Sequence, residues 1–118
     1  MAAISRFEDI QAWQKARQIT KEIYQLTMAE RFSKDFGLCN QIRRASVSIM
    51  SNIAEGFGRK TNKDFAHFLV MSHGSAAEVQ SHLYIALDLG YIDKKSFDDL
   101  YEMLDHTSRM IMAFCKRL

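Results

Sequence analysis

The stretch from Gln41 to Arg59, QIRRASVSIMSNIAEGFGR, decides how this chain folds. At about 100° per residue, Leu38, Ile42, Ala45, Ser46, Ile49, Met50, Ile53 and Phe57 fall on one broad arc that can face a core. Arg44, Ser48, Ser51, Asn52, Glu55 and Arg59 share the opposite stripe. A merely solvated stripe would carry long flexible charges. Ser and Asn are mediocre helix formers whose value lies in fixed hydrogen bonds or close approach, so a packed neighbour is expected over them. The reading gives a helix over about residues 36–56, closing at Gly56-Phe57-Gly58, where one glycine would take the left-handed conformation.

Working outward, the chain of 118 residues has no Pro, 5 Gly and 47% hydrophobic residues. Long uninterrupted helices are easy to build from that composition and a turn-rich β-fold is not, so the expected class is all-α in one domain over residues 1–118. Upstream, Ser5 to Asp9 offers carboxylates to a helix start, and Ala12, Trp13, Ala16, Ile19, Thr20, Ile23, Leu26 and Thr27 recur at helical spacing. This predicts a first helix over about residues 9–30, with Lys15, Arg17, Lys21 and Glu22 on its outer face. Arg31 to Phe36 reads as a connection in which Ser33 and Asp35 can cap.

Downstream, Thr61 with Asp64 has the form of a capping box opening a third helix over about residues 62–89. Phe65, Phe68, Leu69, Ser72, Ala76, Val79, Leu83, Ala86 and Leu87 form its core stripe. Val70, Met71, Ala77, Tyr84 and Ile85 lie well off that stripe, so this helix is apolar on more than one side, which predicts self-association. Gly74-Ser75-Ala76-Ala77 in mid-helix strengthens the expectation, because a Gly there is best explained by a second helix coming close. Glu78 is a candidate ion-pair partner for Arg43 or Arg44, between helices or between subunits. Leu89-Gly90-Tyr91-Ile92 breaks the pattern, Asp93 can cap, and a fourth helix follows over about residues 94–116. Four helices with short links make an up-down-up-down bundle the economical fold.

The net charge of +2 conceals an asymmetry: residues 1–63 carry eleven Lys and Arg against six Asp and Glu, and residues 64–118 carry five against eight. A bipolar chain can bind an anion with one face or meet copies of itself with complementary faces. Arg59, Lys60 and Lys63 beside the opening of the third helix form a candidate anion or phosphate site. Cys39 and Cys115 sit in apolar helical patterns, as reduced buried thiols do in a cytoplasmic protein. No window approaches the length of a membrane span and the N-terminus lacks the form of a secretory signal, so a cytoplasmic location is expected. His67, His73, His82 and His106 form no i, i+4 pair. Asp64 with His67 has the spacing of half a ferritin-like di-iron site, and Glu78 with His82 spans one turn, but a full ligand set is missing. No cofactor, metal site or catalytic residue is expected.

Taken together, these residues resemble a known family. Arg44-Ala45, Ser48-Ile49, Asn52-Ile53-Ala54-Glu55-Gly56 and Arg59, then Gly74-Ser75, Glu78 and Leu89-Gly90-Tyr91, with Phe7 and Trp13-Gln14-Lys15-Ala16 ahead of them, stand in the family's order. The family is the bacterial four-helix-bundle group named for proteins encoded in 23S ribosomal RNA intervening sequences. It also includes the accessory variability proteins of diversity-generating retroelements. The match spans nearly the whole chain, with Met50 standing where many relatives have Pro and Ser72-His73 replacing a more usual Ala and variable residue. The resemblance implies a non-enzymatic homo-oligomer, typically a pentameric barrel of bundles. Members associated with retroelements act with a reverse transcriptase and bind nucleic acid through a strongly basic surface, whereas this chain is mildly basic. On this reading Arg44, Ser48, Asn52, Glu55, Gly74 and Glu78 serve assembly. RNA or DNA contact falls to Arg43, Arg59, Lys60 and Lys63, and an oligomeric protein-binding scaffold is the alternative.

Overall fold

A computed structural model describes residues 4–118. A single 3-10 turn, Phe7–Asp9, precedes α1 (Gln11–Leu26), a one-turn α2 (Glu30–Ser33), α3 (Phe36–Phe57), α4 (Asn62–Asp88) and α5 (Lys94–Lys116). There is no strand among the described residues. Each neighbouring pair of long helices runs antiparallel. Thr20 of α1 reaches the Ser46 carbonyl of α3, and Arg43 of α3 reaches back to Thr27. Ser72 of α4 bonds the Ile49 carbonyl while Ser75 meets Ser48. Along α5, Phe97 lies against Tyr84 and the Cys115 thiol reaches Ala66. The result is the expected up-down-up-down bundle, in which α3 packs chiefly on α4, α4 on α5, and α1 closes the ring against α3 and α5.

α3, α4 and α5 start where the sequence supplies acceptors for their orphan amides. Asp35 accepts from the Leu38 N–H, Thr61 from Asp64 and Asp93 from Ser96. The core is a ladder of aliphatic side chains with no accessible surface, among them Ile19, Ile23, Ile42, Ile49, Ile53, Leu83, Leu104 and Ile111. Removing each from water contributes on the order of 2 kcal/mol.

Three expectations are corrected. The first helix does not run from about residue 9 to 30. Its acidic start forms the separate 3-10 turn, and it ends at Leu26, because the chain must bend there to bury Phe32. The segment Arg31 to Phe36 is not a plain connection, since α2 occupies its first half. Finally, neither Gly56 nor Gly58 is left-handed. Gly58 has φ −77°, and the one positive-φ residue among those described is Gly90, at 72°. Gly56 is needed for space instead: a Cβ on it would stand 2.7 Å from the Phe68 Cβ and 2.9 Å from a Phe65 ring carbon.

Candidate assembly surface and basic faces

The polar stripe of α3 divides into two parts. Asn52 is 9% exposed and its amide donates to the Ser48 carbonyl at 2.9 Å and the Ser48 hydroxyl at 3.0 Å. The Ser75 hydroxyl closes on that same Ser48 oxygen at 2.9 Å. Ser48 and Asn52 are thus placed in the seam between α3 and α4 of one chain, where short polar side chains let two helices approach. Arg44 and Glu55 stay exposed. Arg44 shares a groove with Asn40, Gln41, Ser48 and Glu78. Arg44 and Glu78 are near neighbours across it without forming an ion pair; the pairs among the described residues are Arg6–Glu8, Glu55–Arg59, Lys94–Asp98 and Lys95–Asp99.

Pairing of Arg43 with Glu78 within the chain is excluded by geometry. Arg43 turns to the α1 side of α3, where its Nε donates to the Thr27 hydroxyl at 2.8 Å and its guanidinium lies 4.8 Å from the centre of the Tyr24 ring. The four basic residues singled out for nucleic acid therefore do not form one surface. Arg43 stands fourteen residues before Phe57, the last residue of α3, so Arg59, past that end, lies about 20 Å or more away along the axis. At the turn, Arg59 bonds Glu55 at 2.9 Å and covers the Phe68 ring at 4.7 Å, leaving Lys60 and Lys63 exposed without an ion-pair partner among the described residues.

The second apolar face of α4 is present as read. Val70 is 52% exposed, Tyr84 49%, Met71 44% and Ile85 44%, with Ala77 also at the surface. Gly74 lies among them, and a Cβ built on it would meet nothing within 4 Å. Val47 of α3 adds another exposed apolar side chain at 37%. Tyr84 is only half of this face, since its ring also packs 4.8 Å from Phe97 of α5.

The histidines do not converge. His67, His73 and His106 are exposed and His82 is buried with its Nδ1 unpartnered, and no three His, Cys, Asp or Glu side chains among the described residues are placed to hold a metal. Both thiols are free. Cys39 faces the Phe32 carbonyl at 3.1 Å, and burial pushes its pKa up, away from the thiolate that nucleophilic chemistry needs. Among the described residues, no helix is long and apolar enough to cross a membrane.

Sequence reasoning missed two arrangements. Arg31 of α2 donates to the Leu89 and Gly90 carbonyls at the end of α4 and stacks on Tyr91, whose hydroxyl donates to Asp35 at 3.0 Å. The Gly90-Tyr91 turn was visible as a break, but its partners lie more than fifty residues upstream. The other is the side of α1 and α3 that carries Tyr24, Met28 and Phe36, all exposed. Its sequence signal was Phe36 itself, which falls off the core arc of α3.

No curated protein matches the chain in sequence. The crystal structure of a protein with unknown function from the S23 ribosomal protein family of Bacteroides thetaiotaomicron VPI-5482 is similar in fold, with a TM-score of 0.81. That likeness covers 89% of this chain and 98% of the other at 21% identity. Residues 8–113, from the 3-10 turn to the last turns of α5, match the family described as 23S rRNA-intervening sequence protein, and the chain belongs to that family.

Proposed function

We propose that the protein is a non-enzymatic helical bundle that assembles with copies of itself through the outer face of α4 and serves, once assembled, as a nucleic-acid-binding accessory. The observation that carries the assembly is the exposed stripe of Val70, Met71, Ala77 and Ile85 around Gly74. Apolar surface gains about 25 cal/mol for each Å² removed from water, and a lone bundle forgoes that gain here. Gly74 costs helix stability of about 1 kcal/mol relative to Ala. Nothing inside the chain uses the space it leaves, so a helix of another copy is its natural occupant. Arg44 and Glu78, beside the stripe and not paired with each other, supply a polar rim of both signs.

The ring of five copies is what the family resemblance implies. It suits a surface whose two halves differ, because head-to-tail contacts close into rings. Nucleic-acid contact is supported by Lys60 and Lys63, exposed beside the first turn of α4, where Arg59 is already offset by Glu55. Light scattering on a size-exclusion column tests both parts. The expected result is a closed oligomer of about five chain masses that captures a mixed oligonucleotide pool at low salt and releases it at high salt, as counterion release requires. A monomer at micromolar concentration would overturn the assembly. An oligomer indifferent to nucleic acid would leave the protein-scaffold reading in its place.

A further inference from the structure

On one side of the bundle, α1 and α3 present no carboxylate. From Phe36 to Ala54, α3 has no Asp or Glu, and the one acid of α1, Glu22, lines a groove with Leu26, Ser96 and Asp99 toward α5. Trp13, Arg17 and Tyr24 follow one another along the other side of α1, with Lys21 beside them and Met28 just past its end. The contact of Tyr24 with Arg43 identifies this as the side turned to α3. Two guanidinium groups are held there by aromatic rings and not by acids: Arg17 lies 5.9 Å from the Trp13 ring centre and Arg43 lies 4.8 Å from that of Tyr24. Neither takes part in an ion pair among the described residues.

At the α2 end of this side a groove opens, lined by Thr27, Met28, Phe36, Asn40 and Arg43. Phe36 is 76% exposed and Met28 65% exposed, the two most exposed large apolar side chains among the described residues. A Phe in the first turn of a helix, off its core arc, costs solvation and contributes nothing to this chain's packing.

We propose that this side is a docking surface for single-stranded nucleic acid, with phosphates on Arg17, Lys21 and Arg43 and a base stacked on Phe36 within reach of the Asn40 amide. The argument is charge complementarity joined to ring chemistry. An acidic peptide would need the cations alone, whereas every base presents a π-face that an exposed ring can take, independent of sequence. Two of the arginines are already immobilised on rings, so less side-chain entropy is lost on engaging a phosphate. The inference rests on the nucleic-acid part of the function proposed above but places the contact on a different face from the Lys60–Lys63 turn.

The test is fluorescence anisotropy of labelled oligo-dT and oligo-rU with the full chain at low salt, with circular dichroism and light scattering as controls. Phe36→Ala should weaken binding roughly tenfold and Phe36→Trp should restore it. Arg17→Glu with Lys21→Glu should weaken it further and flatten the salt dependence, by about 0.7 in log–log slope for each phosphate contact removed. If these variants bind as wild type while Lys60→Glu with Lys63→Glu abolishes binding, the inference falls and the turn is the site. If no single strand binds, both fall. Competition by poly-glutamate as strong as that of oligo-dT of equal charge would reject base stacking, and a change in oligomer mass of the Phe36 variant would make the face a subunit contact.

Discussion

Gly56 and Gly74 are the same residue type in long helices and do opposite things. At Gly56 a methyl group would be driven into Phe65 and Phe68, so Gly56→Ala should destabilise the fold by about 1–3 kcal/mol, read as a lower urea midpoint with unchanged slope. At Gly74 a methyl group meets nothing within the chain. Gly74→Ala should therefore raise helix stability by up to about 1 kcal/mol in a monomeric background, while Gly74→Leu should split the oligomer without loss of helicity. A sequence shows only that both are glycines. Position suggested a left-handed helix end for one of Gly56 and Gly58, and the true reason for Gly56, two phenylalanines nine and twelve residues further on, is a tertiary fact. Tyr91 makes the same point. Its hydrogen bond to Asp35 raises its pKa, as do burial and the nearby negative charge, so the bond's contribution is complete below the ordinary tyrosine range and is lost as the pH rises through the raised value. Tyr91→Phe should lower the melting temperature at neutral pH and remove that alkaline loss.

At the level of elements, the starts of α3, α4 and α5 were the most legible feature, because a capping side chain and the amide it accepts from sit within three residues. Asp35, Thr61 and Asp93 each cap the helix that their position suggests. Thr61→Ala should cost about 1 kcal/mol in denaturant unfolding, read as a lower urea midpoint with unchanged slope. The end of α1 was not legible, since Thr27, Met28 and Ala29 are compatible with a continuing helix. The break is decided by the burial of Phe32, which stacks on Tyr91. α4 was read correctly as a helix with two apolar sides, because two stripes about half a turn apart are visible in its periodicity whatever covers the outer one.

For the whole molecule, a bundle extending 45 × 23 × 19 Å has its apolar outer stripe and the side bearing Arg17 and Arg43 on different helices, α4 in one case and α1 with α3 in the other. Val70→Glu with Ile85→Glu should shift the light-scattering mass toward the monomer and leave the far-ultraviolet dichroism unchanged, since neither side chain belongs to the core. The candidate surfaces were less legible than the fold. Periodicity assigns a residue to a side of its own helix, but joining Arg17, Tyr24, Phe36 and Arg43 into one face needs the packing of α1 on α3. The same packing takes Arg43 away from Arg59.

Within a single turn, α3 is pinned from both neighbours: the Thr20 hydroxyl holds the Ser46 carbonyl, Ser72 holds that of Ile49, and Ser75 meets Ser48 between them. Sliding either neighbour by one helical turn would carry these hydroxyls about 5 Å from their acceptors. Shear between helices is thereby blocked at mid-height, and opening must start from the two ends. Amide hydrogens from Ser46 to Ile53 should consequently exchange with deuterium only through global unfolding, and their protection should report the full stability of the protein.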